Sequence, residues 1–315
     1  MTKPQRIRDP LHNLIEFNTS EFERVIWKVI QTKPFQRLRR IKQLGFSDLT
    51  FPGATHTRFA HSIGVFHTAR QLMKIVQEKL GTDKYSDSKA SVALAAALVH
   101  DLGHGMFSHT FESLGKKLDL KMARHEEVSK QIILNNEVAE VLKELGSGFP
   151  RDVSTLISKG TPSDLYDAVV SSQFDADRLD YMQRDRLMTG VQNSGIDFAW
   201  LIKNLEIGEV PSGVDDSSLG NIETFILSPK AIYAAETYVL SLFQLYPTVY
   251  YHKTTRGAEK MFSFLMLRVL KLIRDNQTAK TGLPQNHPIV KFGNDSDSLE
   301  NALALDDNVS GDHYG

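Results

Sequence analysis

A short stretch near the first third of the chain constrains the fold more than any other feature. An apolar run over residues 92–99 leads directly into His100-Asp101 and then into a turn that contains two glycines. Three histidines and one aspartate fall within ten residues: His100, Asp101, His104 and His109. Imidazole and carboxylate groups at this density are typical ligands of divalent transition metals. The alternative is that Asp101 and the glycines only end a helix, and that the histidines are incidental.

The composition limits the kind of metal site that the chain can build. The chain has 315 residues, of which 41% are hydrophobic, and its formal net charge is −1. It contains no cysteine, which excludes disulfides and thiolate ligands, so histidine and carboxylate side chains would hold any metal. No apolar stretch approaches the roughly 20 residues of a membrane span, and no signal peptide is visible. We therefore expect a soluble cytoplasmic protein, and nothing in the composition demands nucleic acid or a membrane as partner.

Almost every regular segment of the sequence is predicted to be helical. Hydrophobic spacing predicts helices over 20–31, 35–44, 57–80, 88–100, 110–118, 124–135, 138–145, 152–158, 163–171, 174–185, 198–205, 230–246 and 250–275. The last two form one long apolar helix that Pro247 interrupts. Two segments, 7–17 and 209–227, are predicted β-hairpins. The sequence thus predicts an all-α helical bundle with small β-hairpin additions, followed by a polar tail over 277–315.

Two segments that are dense in charge have a plain structural explanation. The predicted helix 35–44 carries four cationic side chains, which a solvated helix face would account for: Arg37, Arg39, Arg40 and Lys42. The segment 174–185 alternates acidic and basic residues, and by itself it would be an exposed, salt-bridged helix.

The candidate metal ligands belong to a series of six motifs in a fixed order. They are Gln36-Arg37-Leu38-Arg39, Lys42-Gln43-Leu44-Gly45, Phe51-Pro52-Gly53-Ala54, His56-Thr57-Arg58-Phe59-Ala60-His61-Ser62, His100-Asp101-Leu102-Gly103-His104-Gly105 and Asp177-Arg178-Leu179-Asp180-Tyr181. The series resembles the deoxynucleoside triphosphate triphosphohydrolases of the HD-domain phosphohydrolase superfamily, which include a vertebrate SAM-and-HD-domain dNTPase and bacterial relatives. The resemblance covers about residues 7–262. It implies an HD-domain bundle over 1–276, and a tail over 277–315 that begins a truncated C-terminal regulatory region.

The resemblance also implies roles for individual residues. One divalent ion per chain, which would be Mn, Fe, Zn, Ni or Mg, is expected at His61, His100, Asp101 and Asp177. Histidines near the scissile phosphate are expected at His104, His109 and His125. Their acidic partner is Glu112, where the vertebrate enzyme has an aspartate. The implied substrate contacts are Arg58 on the α-phosphate, Gln43, Leu44, Tyr181 and Asp185 on the sugar, and Tyr250 near the base.

The chain departs from the family pattern at the outer phosphates. Leu242 stands where many relatives have an arginine on the terminal phosphate. We expect Arg178, together with Lys253 or Arg256, to replace that arginine. Lys253 and Arg256 are three residues apart on one predicted helix, so they share a face, although solvated surface charges would show the same spacing.

The implied activity is hydrolysis of dNTPs to a deoxynucleoside and tripolyphosphate, by a homo-oligomer that is a dimer or a tetramer. One alternative is an HD-type nucleotidase or phosphodiesterase that acts on monophosphates, cyclic dinucleotides or single-stranded nucleic acid, and Leu242 favours it. The other alternative is a non-catalytic nucleotide sensor. The presence of the whole set of ligands and histidines argues against a sensor.

Overall fold

The all-α prediction is confirmed in the computed structural model, which describes residues 3–160, 162–192, 195–211 and 221–310. Within these residues the chain forms 15 α-helices and two antiparallel β-hairpins. The helices are α1 (Glu21–Gln31), α2 (Lys33–Arg37), α3 (Arg58–Leu80), α4 (Asp87–Val99), α5 (His109–Leu118), α6 (His125–Asn135), α7 (Glu137–Leu142), α8 (Phe149–Lys159), α9 (Leu165–Ala168), α10 (Ala176–Thr189), α11 (Phe198–Lys203), α12 (Ile232–Leu245), α13 (Lys253–Arg274), α14 (Pro288–Asn294) and α15 (Leu299–Leu303). None of the described helices combines the length and the apolar composition that a bilayer crossing requires.

The predicted N-terminal hairpin is confirmed. Strand β1 (Gln5–Asp9) pairs antiparallel with β2 (Asn13–Phe17). The carboxylate of Asp9 accepts hydrogen bonds from the backbone N–H groups of Leu11 and His12, and this closes the turn. The turn therefore holds His12 at a fixed place beside the helical core.

The prediction of a continuous helix over 35–44 is wrong. Helix α2 ends at Arg37 and continues only as a 3₁₀ turn, Leu38–Arg40. Ile41 is extended and fully buried, and its carbonyl accepts the N–H of Arg58. Because this pairing joins residues that are far apart in sequence, local helical spacing did not predict it. Arg37 is also buried rather than solvated.

Helices α3, α4 and α10 pack around the predicted metal ligands. The inner face of α4 is rich in alanine, which lets neighbouring helices approach closely. Gly64 of α3 lies against α10, and a Cβ at this position would overlap the carboxylate of Asp180. This close approach requires glycine and fixes the distance between the two helices that carry His61 and Asp177.

The second predicted hairpin and the interrupted long helix are both present. Strand β3 (Leu205–Pro211) pairs antiparallel with β4 (Asn221–Leu227), and the predicted turn between them, with Gly213 and Gly220, lies outside the described residues. Helix α12 passes through a π-helical turn, Tyr246–Tyr250, before α13 begins. Pro247 lies in that turn, where its missing N–H removes a helical hydrogen bond.

Residues 278–310, which were expected to form a polar tail, are folded. These residues form α14, α15 and two 3₁₀ turns, Thr278–Thr281 and Asp307–Ser310. Val290, Phe292 and Leu305 are fully buried in a second apolar cluster with residues of α5 and α13. Residues 311–315 lie outside the described part of the chain. The role of this segment as a regulatory region stays a prediction.

Candidate metal centre and adjoining cavity

Four predicted ligands meet where α3, α4 and α10 come together. His61 lies in the first turn of α3, His100 and Asp101 follow α4, and Asp177 lies in the first turn of α10. His61 Nε2 is 2.9 Å from Asp177 Oδ1 and 3.8 Å from Asp101 Oδ2. His100 Nε2 is 3.4 Å from Asp101 Oδ1 and 3.7 Å from Asp177 Oδ1. Two imidazole nitrogens and two carboxylates from distant segments thus share one small volume.

Hydrogen bonds at the far side of each ring leave the inner nitrogens free to bind a cation. His61 Nδ1 is 2.9 Å from Asp180 Oδ2, and His100 Nδ1 is 2.9 Å from the carbonyl oxygen of Ala97. Because these oxygens can only accept, the ring protons belong on Nδ1. The Nε2 atoms of both rings are buried and face the carboxylates of Asp101 and Asp177, without a well-aligned hydrogen bond among the described atoms. Metal-binding histidines in proteins show this arrangement, so the residues fit a divalent metal.

The carboxylates around His61 favour a positive charge at this centre, which either a bound cation or a proton on His61 can supply. Burial alone lowers the pKa of His61, but Asp177 and Asp180 outweigh burial and raise the pKa to about 10. Burial likewise raises the pKa of Asp177, while the imidazoles of His100 and His61 bring it well below its usual value. A metal at this centre would therefore displace a proton from His61.

A second group of three histidines lies next to the metal ligands. His104 Nε2 is 3.2 Å from Asp101 Oδ1, and its ring stacks on His125 with centroids 4.2 Å apart and planes 9° apart. His109 stands edge-on to His104 at 5.0 Å. A nitrogen of each ring lies within 4.8 Å of the others. The rings of His104 and His125 are stacked and nearly parallel, so their nitrogen lone pairs lie in two separate planes and do not converge on one ion. This arrangement suits proton transfer better than binding of a second metal.

Glu112 holds two of these histidines. Its Oε2 is 2.9 Å from His125 Nδ1 and 3.3 Å from His109 Nδ1, and its Oε1 is 2.9 Å from Lys116 Nζ. The hydrogen bonds from His109 and His125 hold the pKa of Glu112 well below its usual range. Burial and the charge of Arg58 keep the pKa of His104 well below its usual range. The group therefore combines an ionised carboxylate with a buried, neutral imidazole.

A cavity of about 410 Å³ adjoins the histidines. It is lined by eight of the predicted site residues: Gln43, Leu44, Arg58, His109, Tyr181, Asp185, Tyr250 and Arg256. Gln43 Oε1 is buried and has no hydrogen-bond partner among the described atoms, so it remains available to accept a hydrogen bond from a ligand. The structure thus brings the residues predicted to contact the sugar and the base into one space, which Arg58 connects to Asp101. His100, Asp101 and Asp177 line a separate, smaller cavity together with His125.

Asp185 is held more tightly than the sequence indicated. Its Oδ1 is 2.8 Å from His56 Nε2, and its Oδ2 accepts a hydrogen bond of 2.9 Å from the hydroxyl of Tyr250. Burial and the nearby Asp185 charge raise the pKa of Tyr250 well above its ordinary value, so the hydroxyl keeps its proton. His56 was quoted in a motif but given no role, and its buried position beside Asp185 is a contact that only the folded chain reveals.

The four cations proposed for the phosphates occupy different environments. Arg58 is buried, donates from Nε to Ser108 Oγ at 2.9 Å, and forms an ion pair with Asp101. Arg256 lines the cavity and pairs with Glu259 at 2.6 Å. Arg178 instead donates to the carbonyl of Ser172 and lies 3.4 Å from Asp175 Oδ2. Exposed Lys253 is not among the described residues that line the cavity.

Sequence reasoning missed the buried network behind His61. Asp180 is fully buried and contacts His61, His12 Nε2 at 2.7 Å and Arg184 Nε at 2.8 Å. Arg184, also fully buried, pairs with Asp9 at 2.8 Å. The interpretation of 174–185 as an exposed helix is therefore wrong for the face of α10 that carries Asp180 and Arg184. The spacing of Asp177, Asp180 and Arg184 was a usable signal, because residues three and four apart share one helix face.

Comparisons with known proteins agree with this architecture. The family model of the HD domain matches residues 58–182, and that of the HD associated region matches residues 217–284. An uncharacterized Bacillus subtilis protein, YwfO, is 35% identical over 310 residues, which are 98% of this chain and 65% of that protein. Mouse deoxynucleoside triphosphate triphosphohydrolase SAMHD1 is 31% identical over an alignment of 306 positions, and this alignment covers 86% of this chain and 45% of the enzyme.

A solved structure extends the likeness to the fold. A phosphohydrolase from Bacteroides thetaiotaomicron is 30% identical and superposes with a TM-score of 0.75. The match covers 98% of this chain and 71% of the Bacteroides protein. The chain spans less than two thirds of the length of the curated relatives from B. subtilis and mouse. Its motifs, its matched domain and this neighbour together make the chain a member of the HD-domain phosphohydrolase superfamily.

Proposed function

We propose that this chain is a metal-dependent phosphohydrolase that cleaves dNTPs to a deoxynucleoside and tripolyphosphate. One observation supports the proposal most strongly. His61 Nε2 and His100 Nε2 converge on the carboxylates of Asp101 and Asp177, and Arg58, which pairs with Asp101, also lines the cavity of the sugar-contact candidates. The similarity to the mouse deoxynucleoside triphosphate triphosphohydrolase supports the choice of substrate.

The divalent metal is proposed at His61, His100, Asp101 and Asp177. When bound, such an ion supplies Lewis-acid polarisation of a phosphoryl group and activation of water. The protein residues orient the substrate around it. Arg58 lies beside Asp101, and its planar guanidinium can hold two phosphate oxygens next to the metal. Arg256, which lines the same cavity as Arg58, offers a second cation.

Proton transfer to the leaving 5′ oxygen is proposed for His109, with His125 as its neighbour. The side chain of His109 is 72% exposed and lines the cavity, so a substrate can reach its ring. Glu112 engages Nδ1 of both rings, which leaves each Nε2 free to exchange a proton. His104 is neutral and buried between Asp101 and His125, so we propose that it orients its neighbours.

Discrimination between deoxyribose and ribose is proposed for Gln43 and Leu44. The two residues line the same cavity as Tyr181 and Asp185. The free Oε1 of Gln43 can accept a hydrogen bond from a 3′-hydroxyl, while the side chain of Leu44 leaves an apolar wall where a 2′-hydroxyl would be unpaired. We therefore propose a preference for deoxynucleotides.

Assembly into a homo-oligomer is also proposed. Among the described residues, ten of the 14 exposed large apolar side chains lie within residues 232–265, on α12, α13 and the turn between them. Large apolar patches exposed on a protein often mark sites of protein–protein contact. This concentration supports a self-association surface on these two helices.

A second candidate function is hydrolysis of a nucleotide with fewer phosphates. It is favoured by the placement of Arg178 and Lys253, neither of which lines the described cavity, and by Leu242. A triphosphate carries about four negative charges and needs several cationic donors, whereas a monophosphate or a phosphodiester needs fewer.

A nucleotide panel with product identification separates the candidates. Purified chain is incubated with dNTPs, NTPs, monophosphates and cyclic dinucleotides in Mn²⁺ and in Mg²⁺. Tripolyphosphate from a dNTP supports the proposed function. Orthophosphate or a nucleoside monophosphate as product would support the second candidate instead. Tight nucleotide binding without turnover would contradict both and favour a sensor.

A further inference from the structure

The C-terminal part of the described chain is fastened to the turn that carries the proposed catalytic histidines. We call residues 104–109 the histidine turn. Arg37 is buried and donates from Nη1 to the carbonyl of His104 at 2.8 Å and from Nη2 to the carbonyl of Leu305 at 2.7 Å. One guanidinium therefore bridges the histidine turn and a segment about 200 residues further along the chain.

Asp307 makes the most direct connection between them. Its Oδ1 accepts the backbone N–H of Phe107 at 2.6 Å, and its Oδ2 accepts the backbone N–H of Lys42 at 2.8 Å. Both donors are fixed main-chain groups next to the site, because Phe107 belongs to the histidine turn and Lys42 directly precedes Gln43. Asp307 lies outside both regions that the family models match.

The histidine turn needs such support because its backbone is unusual. Phe107 and Ser108 both have φ of 52°, which residues other than glycine rarely adopt. Conformations of this kind persist only where surrounding contacts hold them. Ser108 Oγ accepts from Arg58 Nε at 2.9 Å and donates to the carbonyl of Lys42 at 3.0 Å. Ser108 therefore contacts Arg58 directly, and it immediately precedes α5, which starts at His109.

We propose that Asp307 is a positioning residue, which holds the histidine turn in its strained form and thereby aligns Arg58 and His109 with the substrate. Its carboxylate has the two acceptor oxygens that two converging N–H groups require, and a neutral side chain of the same shape would offer only one. These two hydrogen bonds go to the backbone of Phe107 and Lys42 rather than to the proposed metal ligands. Its effect should therefore fall on turnover and leave metal binding intact. The catalytic part of this inference rests on the proposed function.

The test compares Asp307→Asn and Asp307→Ala with Asp297→Asn in the full chain. Asp297 is an exposed aspartate ten residues away, so its substitution controls for loss of one negative charge in the same segment. Hydrogen exchange of the Phe107 and Lys42 amides, metal content, melting temperature and dNTP hydrolysis are measured for each. We expect roughly tenfold or faster exchange of the two amides and a fall in kcat of about tenfold or more, the scale of a lost hydrogen bond to a charged group. Metal content should stay that of the wild type.

Three results would overturn the proposal. The first is unchanged exchange of the two amides in Asp307→Asn, and the second is a kcat equal to that of Asp297→Asn despite faster exchange. The third is that Asp307→Asn loses metal and that its amides exchange faster throughout the chain, which would mean that Asp307 has a merely structural role. If Asp307→Ala fails to fold, the isosteric Asp307→Asn decides the matter. If the wild type hydrolyses no nucleotide, the proposed function fails, whereas amide exchange still tests the support of the histidine turn.

Discussion

The metal centre and the phosphate-binding wall of the cavity differ in how closely they follow the sequence prediction. His61, His100, Asp101 and Asp177 come together as the motif order predicts, with the outer nitrogens of both rings already engaged. Among the cations proposed for the outer phosphates, Arg178 is drawn to Ser172 and Asp175, and only Arg256 lines the cavity. Short side chains on packed helices are fixed by the fold, whereas long cationic side chains follow whichever acceptor lies nearby.

The largest effect is expected from removing a metal ligand. Asp101→Asn should lower metal content from about one ion per chain to a small fraction of that and should abolish hydrolysis, because the centre loses a charged donor. Elemental analysis after mild chelation measures the content, and Asp152→Asn, an exposed aspartate of α8, serves as the control. Wild-type metal content in Asp101→Asn would refute the assignment of the centre.

The buried carboxylate behind His61 should have the next largest effect. Asp180→Asn removes the acceptor that fixes the His61 tautomer and leaves Arg184 partly unpaired. We expect affinity for Mn²⁺ to fall roughly 10- to 100-fold, as for other outer-shell partners of metal-bound histidines. Titration calorimetry with Mn²⁺ measures this, with the melting temperature recorded alongside. Unchanged affinity in a folded variant would show that Asp180 does not support the ligand.

The third prediction compares Arg256, which lines the cavity, with Arg178, which does not line it among the described residues. Arg256→Gln should raise KM for a dNTP by roughly tenfold, the scale of a lost charge-assisted bond, whereas Arg178→Gln should change KM by less than about threefold. Arg178→Gln is thus the matched control, because it removes the same charge outside the described cavity wall. A larger effect from Arg178 than from Arg256 would mean that the substrate draws Arg178 away from Ser172 and Asp175.

The smallest effect is expected at the sugar. The wild type should favour dATP over ATP by about ten- to a hundredfold in kcat/KM, because an unpaired hydroxyl against an apolar wall costs roughly 1–3 kcal/mol. Leu44→Ala should reduce that preference while retaining activity with dATP. Equal efficiency of the two nucleotides in the wild type would contradict the role given to Leu44.

The same contrast explains what the sequence could and could not predict elsewhere. The N-terminal hairpin and the break at Pro247 followed from local signals, as did most helices. Helix α2 ends early because Ile41 pairs with Arg58, a contact that no local pattern carries. Residues 278–310 fold because a few scattered apolar side chains, such as Phe292, reach a shared cluster. The mostly polar composition of residues 278–310 concealed the contribution of these apolar side chains.

In the candidate site, the missing information is also non-local. The ligand types and their order were implied by the motifs that resemble the HD-domain superfamily. The partners of those ligands were not visible, since His12 and Asp180 are 168 residues apart and meet only after the hairpin packs on α10. Asp307 likewise reaches Phe107 from 200 residues away.

Phosphorus NMR of a dNTP reaction tests the central claim most directly. Metal-free wild type, wild type with one equivalent of Mn²⁺ and Asp101→Asn with the same Mn²⁺ are each followed with dGTP and with dATP. The account predicts tripolyphosphate signals only in the metal-loaded wild type, with no build-up of diphosphate or monophosphate nucleotides. Tripolyphosphate from Asp101→Asn, or orthophosphate as the first product of the loaded wild type, would contradict it.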